Sequence, residues 1–274
     1  MSLNLLRFDS AREAVNALQN NRAHLLGGGT LVVRRTNAGD PEIETLVRWA
    51  DPHAQGIDID AGEVRIGAMM TMAQVARHSG LGWLAQAAHA VGGPTVRNMA
   101  TVGGNLFAPS PYGDFAVALL ALRATVSVQC PDGVREASLD EFLAQRGASF
   151  SKSIVTSVKF KTPPEGAFRY RKVSRIKPNG TSVMSIAAVL GEHRGVVQQA
   201  SVAYGAMAST PIRSQAVERA LIGQPLTADG IKTAIGNALD GTAPEDDAIA
   251  SAWYRRAVLP VHLTRVLLGK ENGR

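Results

Sequence analysis

The sequence has a single cysteine, Cys130, among its 274 residues. One thiol cannot close an internal disulfide, ligate an iron–sulfur cluster or build a thiolate zinc site, so any such centre has to sit on another chain. The six histidines are dispersed as His24, His53, His78, His89, His193 and His262. None has a metal-ligand spacing such as His-x-x-x-His, and no Ser/His/Asp or Cys/His nucleophile arrangement stands out. Long apolar runs are also missing. No stretch approaches the roughly 18 to 20 residues that cross a bilayer. The opening MSLNLLRFDSAREAV lacks the basic start, apolar run and cleavage site of a signal peptide, so a cytoplasmic location is expected unless a partner's signal exports it. Aromatics make up only 5%, too few to interleave with basic groups as a stacking platform for nucleic acid. The net charge of +6 and pI near 9.8 come from scattered residues and short groups (Arg34-Arg35, Arg169 to Lys177, Arg255-Arg256). These suit an anionic ligand or an acidic partner subunit.

What is present is an ordinary globular composition, 45% apolar and 19% charged, in a chain long enough to bury a sizeable core. The pattern divides it at about residue 55 and at Pro163-Pro164. Residues 1–55 open with a capping box, Ser10-Ala11-Arg12-Glu13, before a helix through Ala14, Val15 and Leu18. A short strand at His24-Leu25-Leu26 follows, with a second strand over Ile43 to Trp49. Residues 56–163 show strands at 56–60 and 63–67, a Thr71-capped helix, a helix over 81–91 and a loop over 95–111. An apolar helix over 115–122, a hairpin around Pro131-Asp132-Gly133, a capping box at Ser138 to Glu141 and a strand over 154–160 complete the unit. Residues 164–274 read as an antiparallel meander (168–173, 182–190, 196–204), turning near Asn179-Gly180, then helices over 214–221, 228–239 and 248–268. The expected class is α+β: two α/β subdomains followed by a C-terminal antiparallel sheet with helices.

Two glycine clusters carry the chemistry. Gly27-Gly28-Gly29-Thr30 follows a strand, where glycines let backbone N–H groups converge on an anion without Cβ interference. It is neither a dinucleotide-binding GxGxxG nor a P-loop, and alone it reads more readily as a plain tight turn. The second cluster, Thr101-Val102-Gly103-Gly104-Asn105, sets two glycines between a hydroxyl and an amide. Asp114 follows, placed to accept hydrogen bonds from ribose hydroxyls or to cap the next helix.

These motifs together resemble the FAD-binding medium subunit of the molybdenum hydroxylases, the xanthine dehydrogenase and carbon monoxide dehydrogenase group. The matching stretches are Gly27 to Thr30, Ile66-Gly67-Ala68-Met69-Met70-Thr71, Arg97 to Leu106 and Pro111-Tyr112-Gly113-Asp114. Further matches are Tyr170 to Arg175, Gly205 to Arg213 and Ser251 to Arg256, in the family's order over nearly the whole chain. The resemblance implies a PCMH-type (vanillyl-alcohol-oxidase) fold. It places Leu26, Gly27, Gly28, Gly29, Thr30 and Leu31, together with Ala68, Ala100, Thr101, Gly103, Gly104 and Asn105, around FAD and its pyrophosphate. It puts Asp114 on the adenosine ribose and Lys172 by the isoalloxazine ring, although a lysine on a strand is also an ordinary solvated residue. It implies partners as well: an iron–sulfur small subunit and a molybdenum-cofactor large subunit, NAD or another carrier as acceptor, and a dimer of heterotrimers.

The stretch Ile176 to Ala187 departs from the family. It is longer than in many relatives and lacks an acid before the Ile-Ala pair, which leaves the acceptor open. The molybdenum and two-iron–two-sulfur parts that some relatives fuse into one polypeptide are not in this sequence. A free-standing PCMH-type oxidase and a basic binding module are the competing functions.

Overall fold

A computed structural model describes residues 3–177 and 180–269; Asn179 of the expected turn lies outside them. Three sheets succeed one another along the chain. The first is small and wholly parallel, with β1 (Asn4–Phe8), β2 (Ala23–Leu25) and β3 (Thr45–Trp49) in the order β1-β3-β2. Helix α1 (Ala11–Leu18) begins where the capping box was read, with Ser10 Oγ accepting from the Glu13 amide at 3.4 Å, and it buries Ala14, Val15 and Leu18. Strand β1 is an addition to the sequence reading. It is an edge strand whose Leu5 and Leu6 are exposed, so it shows none of the alternation that marks a half-buried strand. Helix α2 (Val32–Asn37) is also new, and because it buries no residue it has no amphipathic signature.

The second sheet is antiparallel. Its strands β4 (Ile57–Asp60), β5 (Glu63–Gly67), β6 (Thr125–Cys130), β7 (Gly133–Ser138) and β8 (Ile154–Lys161) are ordered β4-β5-β8-β6-β7. Between β5 and β6 run α3 (Met72–Arg77), α4 (Ala85–His89), α5 (Pro94–Met99), α6 (Val102–Leu106) and α7 (Asp114–Ala121); α8 (Leu139–Gln145) follows β7. Thr71 caps α3 in a reciprocal box with Gln74. The stretch 95–111, read as loop, contains most of α5 and all of α6. Both are too short for a periodic signal, and two glycines suppress helix propensity in α6. The helix expected over 81–91 is a 3-10 segment, Ser79–Leu84, followed by α4.

The third sheet holds β9 (Phe168–Ser174), β10 (Ser182–His193), β11 (Val196–Gly205) and β12 (Ile212–Arg213), antiparallel in the order β12-β11-β10-β9. Helices α9 (Gln215–Leu221), α10 (Lys232–Gly236) and α11 (Ala252–Leu267) complete this part. The expected helix over 228–239 contracts to α10, and that over 248–268 starts only at Ala252. Asp247 turns the chain just before it, accepting from the amides of Ile249 and Ala250.

Helix α7 organises the core. All eight of its residues are buried, including its first, Asp114. A helix apolar all round has to be covered all round. Phe115, Leu119 and Leu120 share one core with strands of the second sheet and with Tyr170, Ala187 and Ala203 of the third. Burying each such large side chain contributes about 1.5–3 kcal/mol. The far side of the third sheet forms a second core with α9 to α11. None of the described helices is long and apolar enough to cross a membrane.

Candidate functional site

The first glycine cluster lies in the loop from β2 to α2, at the C-terminal end of a parallel strand. Leu26 closes the sheet with its amide on the Val47 carbonyl at 2.8 Å. From Gly27 to Leu31, no backbone N–H donates to any group among the described residues. Five consecutive free amides border a cleft of about 1020 Å³. A row of convergent amides without protein acceptors at a cleft is a ready anion cradle. The glycines there answer to packing. A Cβ on Gly28 would run into the Met99 carbonyl, and one on Gly27 would come within 3.1 Å of Thr101 Oγ1. The first cluster therefore packs on the backbone at Met99-Ala100, where the second cluster begins.

The second cluster has different work. Ala68 to Met72 and Ala100 to Gly103 pair side by side. Met72 N donates to Ala100 O at 2.9 Å, Val102 N to Met70 O at 2.9 Å and Gly103 N to Ala68 O at 2.8 Å. The Gly104 amide donates to Thr101 Oγ1 at 3.1 Å, and that of Asn105 to Thr101 O at 2.9 Å. Every amide from Val102 to Asn105 is thus committed within the protein. What this stretch presents to the cleft is the Thr101 hydroxyl, which keeps its O–H to donate, and Asn105. Asn105 Oδ1 accepts from the Ala116 amide at 3.0 Å, tying α6 to α7 and leaving Nδ2 for the cleft.

Of the residues expected at the site, Gly27, Gly28, Gly29, Thr30, Leu31, Ala100, Thr101, Gly104, Asn105, Asp114 and Lys172 line this one cleft. Leu26, Ala68 and Gly103 instead line a small neighbouring pocket that shares Gly27, Thr101 and Gly104 with the cleft. Gly103 lets α6 sit on Ala68, whose Cβ would lie 2.9 Å from a Cβ added there.

Asp114 and Lys172 form an ion pair at 2.8 Å, with side chains 8% and 10% exposed. Neither of the bland alternatives holds. Gly113, in the left-handed conformation at φ 92°, occupies the N-cap of α7, and Lys172 is largely buried. The side chains expected on the adenosine ribose and by the isoalloxazine ring are therefore in direct contact. Lys172 Nζ additionally donates to Ala90 O at 2.7 Å, and Ser182 Oγ donates to Asp114 Oδ1 at 2.5 Å. Tyr170 OH reaches the Asp114 carbonyl at 3.4 Å; burial, then the Asp114 charge, pushes its phenol well above the usual tyrosine range, so it stays a neutral donor.

Lys152, just ahead of β8, and Arg35, on α2, give the cleft a basic side. Lys152 Nζ donates to Asn20 O at 3.1 Å and Ala23 O at 3.2 Å, while Arg35 pairs with Asp40 at 2.8 Å. The Glu42 amide and Arg35 hold the Asp40 carboxyl below its ordinary range. Burial, with Arg35 and Lys152 nearby, lowers the His24 imidazole. Sequence reading missed Ser182 and Lys152 at this cleft, because neither lies near a glycine cluster in the chain. Arg97 is not at the cleft; it pins the carbonyls of His89 and Gly92, the latter at 2.5 Å. No group of three or more His, Cys, Asp or Glu able to hold a metal occurs among the described residues.

A cleft of about 1020 Å³ with a row of free amides, close glycine backbones, and a hydroxyl and an amide in its lining fits a dinucleotide such as FAD. Comparison with known proteins agrees. Residues 1–162 match the family described as the FAD binding domain in molybdopterin dehydrogenase, and residues 168–269 match the CO dehydrogenase flavoprotein C-terminal domain. The chain is 28% identical to the xanthine dehydrogenase FAD-binding subunit of Escherichia coli O157:H7, over 94% of this chain and 90% of that one. It is 29% identical to the nicotinate dehydrogenase FAD-subunit of Eubacterium barkeri, over 77% and 75% of the two. Carbon monoxide dehydrogenase from Hydrogenophaga pseudoflava superposes with a TM-score of 0.90 at 25% identity, covering 97% of this chain and 96% of its counterpart. The architecture is accordingly the PCMH-type flavoprotein fold, α+β as expected. The chain belongs to the family of FAD-binding subunits of the molybdopterin dehydrogenases, a branch of the oxidoreductases.

Proposed function

We propose that this chain is the electron-transfer stage of a molybdenum hydroxylase complex, taking electrons from iron–sulfur clusters on a small subunit and delivering them to a separate acceptor. The single observation that carries the cofactor assignment is the row of free amides from Gly27 to Leu31 on the cleft. They hold the pyrophosphate, with the Thr101 hydroxyl and Asn105 Nδ2 as neighbouring donors. Lys172 stands at the ring end with Asp114 as its counter-ion, where a cation favours negative charge on the ring. When bound, FAD supplies the redox chemistry that amino-acid side chains lack.

The relay reading follows from Cys130. One buried thiol cannot ligate a cluster, so clusters that exchange electrons with this cleft lie outside these 274 residues. A molybdenum-cofactor large subunit, where substrate is oxidised, completes the assembly, and a dimer of heterotrimers is its expected form. Residues 1–55, 56–163 and 164–274 make up the two cofactor-binding subdomains and the C-terminal domain.

Affinity purification of the tagged chain from its own host tests this. Co-purification of a cysteine-rich subunit and a molybdenum-containing subunit, with substrate-driven bleaching of the flavin band only in the complex, is the expected result. A flavin-loaded chain that purifies alone and oxidises a substrate unaided refutes it.

A further inference from the structure

Lys172 carries three N–H donors, and two are committed: one to Ala90 O at 2.7 Å, one to Asp114 Oδ2 at 2.8 Å. One remains for the cleft that Lys172 lines. The direction of that last N–H is set by the other two bonds, and Asp114 is itself held from behind by Ser182 Oγ on Oδ1 at 2.5 Å. Ser182 is only 1% exposed.

The register explains how Ser182 reaches this position. Lys172 pairs with Ser185, and Val173 with Met184. Regular pairing would then set Val183 opposite Ser174. Instead, the register shifts between Ser182 and Met184, so that Ser182 pairs with Ser174. Side chains alternate faces along a strand, so the extra residue moves Ser182 onto the face that carries Lys172. Without the bulge, Val183 would occupy that place and Asp114 Oδ1 would lose its donor. Bulges re-aim side chains next to functional sites in many sheets.

We infer that Ser182 is a positioning residue for the cofactor: through Asp114, it fixes the one free N–H of Lys172 on an acceptor oxygen of FAD. Asp114 acts as the brace of Lys172. This rests on the placing of FAD in the cleft.

The test is a double-mutant cycle on the full-length chain. FAD dissociation constants are measured by titration for the parent, Ser182→Ala, Lys172→Met and the double variant. Ser182→Ala is expected to weaken FAD binding about three- to tenfold in the parent, the scale of one ordinary hydrogen bond, and less than about twofold once Lys172 is methionine, because the path then has no end. Parent-like affinity in Ser182→Ala overturns the inference, as does an equal loss in both backgrounds, which is the mark of a merely structural serine. Should Ser182→Ala not fold, Asp114→Asn takes its place in the cycle, keeping the side-chain shape and removing the counter-charge; equal losses in both backgrounds again overturn the inference. Gly28→Ala separates this failure from failure of the cofactor placement. If both Gly28→Ala and Lys172→Met bind FAD like the parent, the placement is wrong; if both weaken and Ser182→Ala does not, only the role of Ser182 falls.

Discussion

Gly28→Ala adds one methyl group at the point where the two glycine clusters meet. The backbone of Gly28 is not in the left-handed region, so the conformation itself admits alanine. What excludes the methyl is its neighbour. The new Cβ would overlap the carbonyl group of Met99 and come within 3.0 Å of Ala100 Cα. These are backbone atoms, anchored by the Ala100 N to Val96 O bond at 2.7 Å and the Met72 N to Ala100 O bond at 2.9 Å. No flexible side chain can swing aside. Overpacking of this kind costs about 1–3 kcal/mol, and it is relieved by moving the Gly27 to Leu31 loop away from α5. Because that loop carries the free amides, the cost falls on cofactor binding. At about 1.4 kcal/mol per decade, FAD affinity should drop roughly five- to 150-fold.

The control is Gly147→Ala. An added Cβ there meets nothing within 4 Å and φ is unrestrictive, so stability should be unchanged or gain about 0.4–1 kcal/mol. The assay is titration of apoprotein with FAD by flavin fluorescence, alongside thermal unfolding of the apo form. Parent-like FAD affinity in Gly28→Ala, with an unchanged unfolding temperature, would refute both the close contact and the cradle. Gly104→Ala is milder, since its Cβ meets only Thr101 Oγ1, at 2.9 Å.

Two further predictions concern stability. Arg255 is 1% exposed and donates to the carbonyls of Val183, Glu245 and Ala250 and to Asp247. Arg255→Ala strands all four acceptors and should cost about 3–5 kcal/mol in urea unfolding; a loss below about 1 kcal/mol would show the network is dispensable. His262 has its imidazole lowered to about 4, first by burial and then by the charges of Arg171 and Arg265. Since the folded state resists protonation, the stability it supports is full above the unfolded value of 6.5 and is lost as pH falls from there toward 4. The loss is at most about 3 kcal/mol, and smaller because the ring is part-exposed. His262→Gln should therefore flatten the stability profile between pH 6.5 and 4 relative to the parent; parallel profiles would count against it.

Local rules made several elements legible. Ser10 and Ser138 each cap a helix, the Asp132-Gly133 turn joins β6 to β7, and the long strands β10 and β11 announce themselves by apolar content. The order of the motifs identified the cofactor. Two things were hidden for physical reasons. Elements that bury little, β1 and α2, leave no periodic imprint on composition. The Asp114–Lys172–Ser182 cluster joins residues 58 and 68 positions apart in sequence, and the bulge that completes it depends on a strand pairing. The division of labour between the two glycine clusters was hidden for a similar reason: only tertiary hydrogen bonding shows that the second commits its amides to Ala68, Met70 and Thr101.

Helix α7, wrapped on one side by the cofactor-binding sheet and on the other by the C-terminal one, makes Pro163-Pro164 a seam in sequence but not in energy. Removing the C-terminal part would uncover one side of α7 and leave the Asp114 carboxylate without its cation. The two parts are therefore expected to melt as one unit, which a single calorimetric transition would show. By linkage, whatever free energy FAD gives on binding the glycine loop also protects β9 to β12, strands that supply only Lys172 and the edge from Gly180 to Ser182 to its cleft.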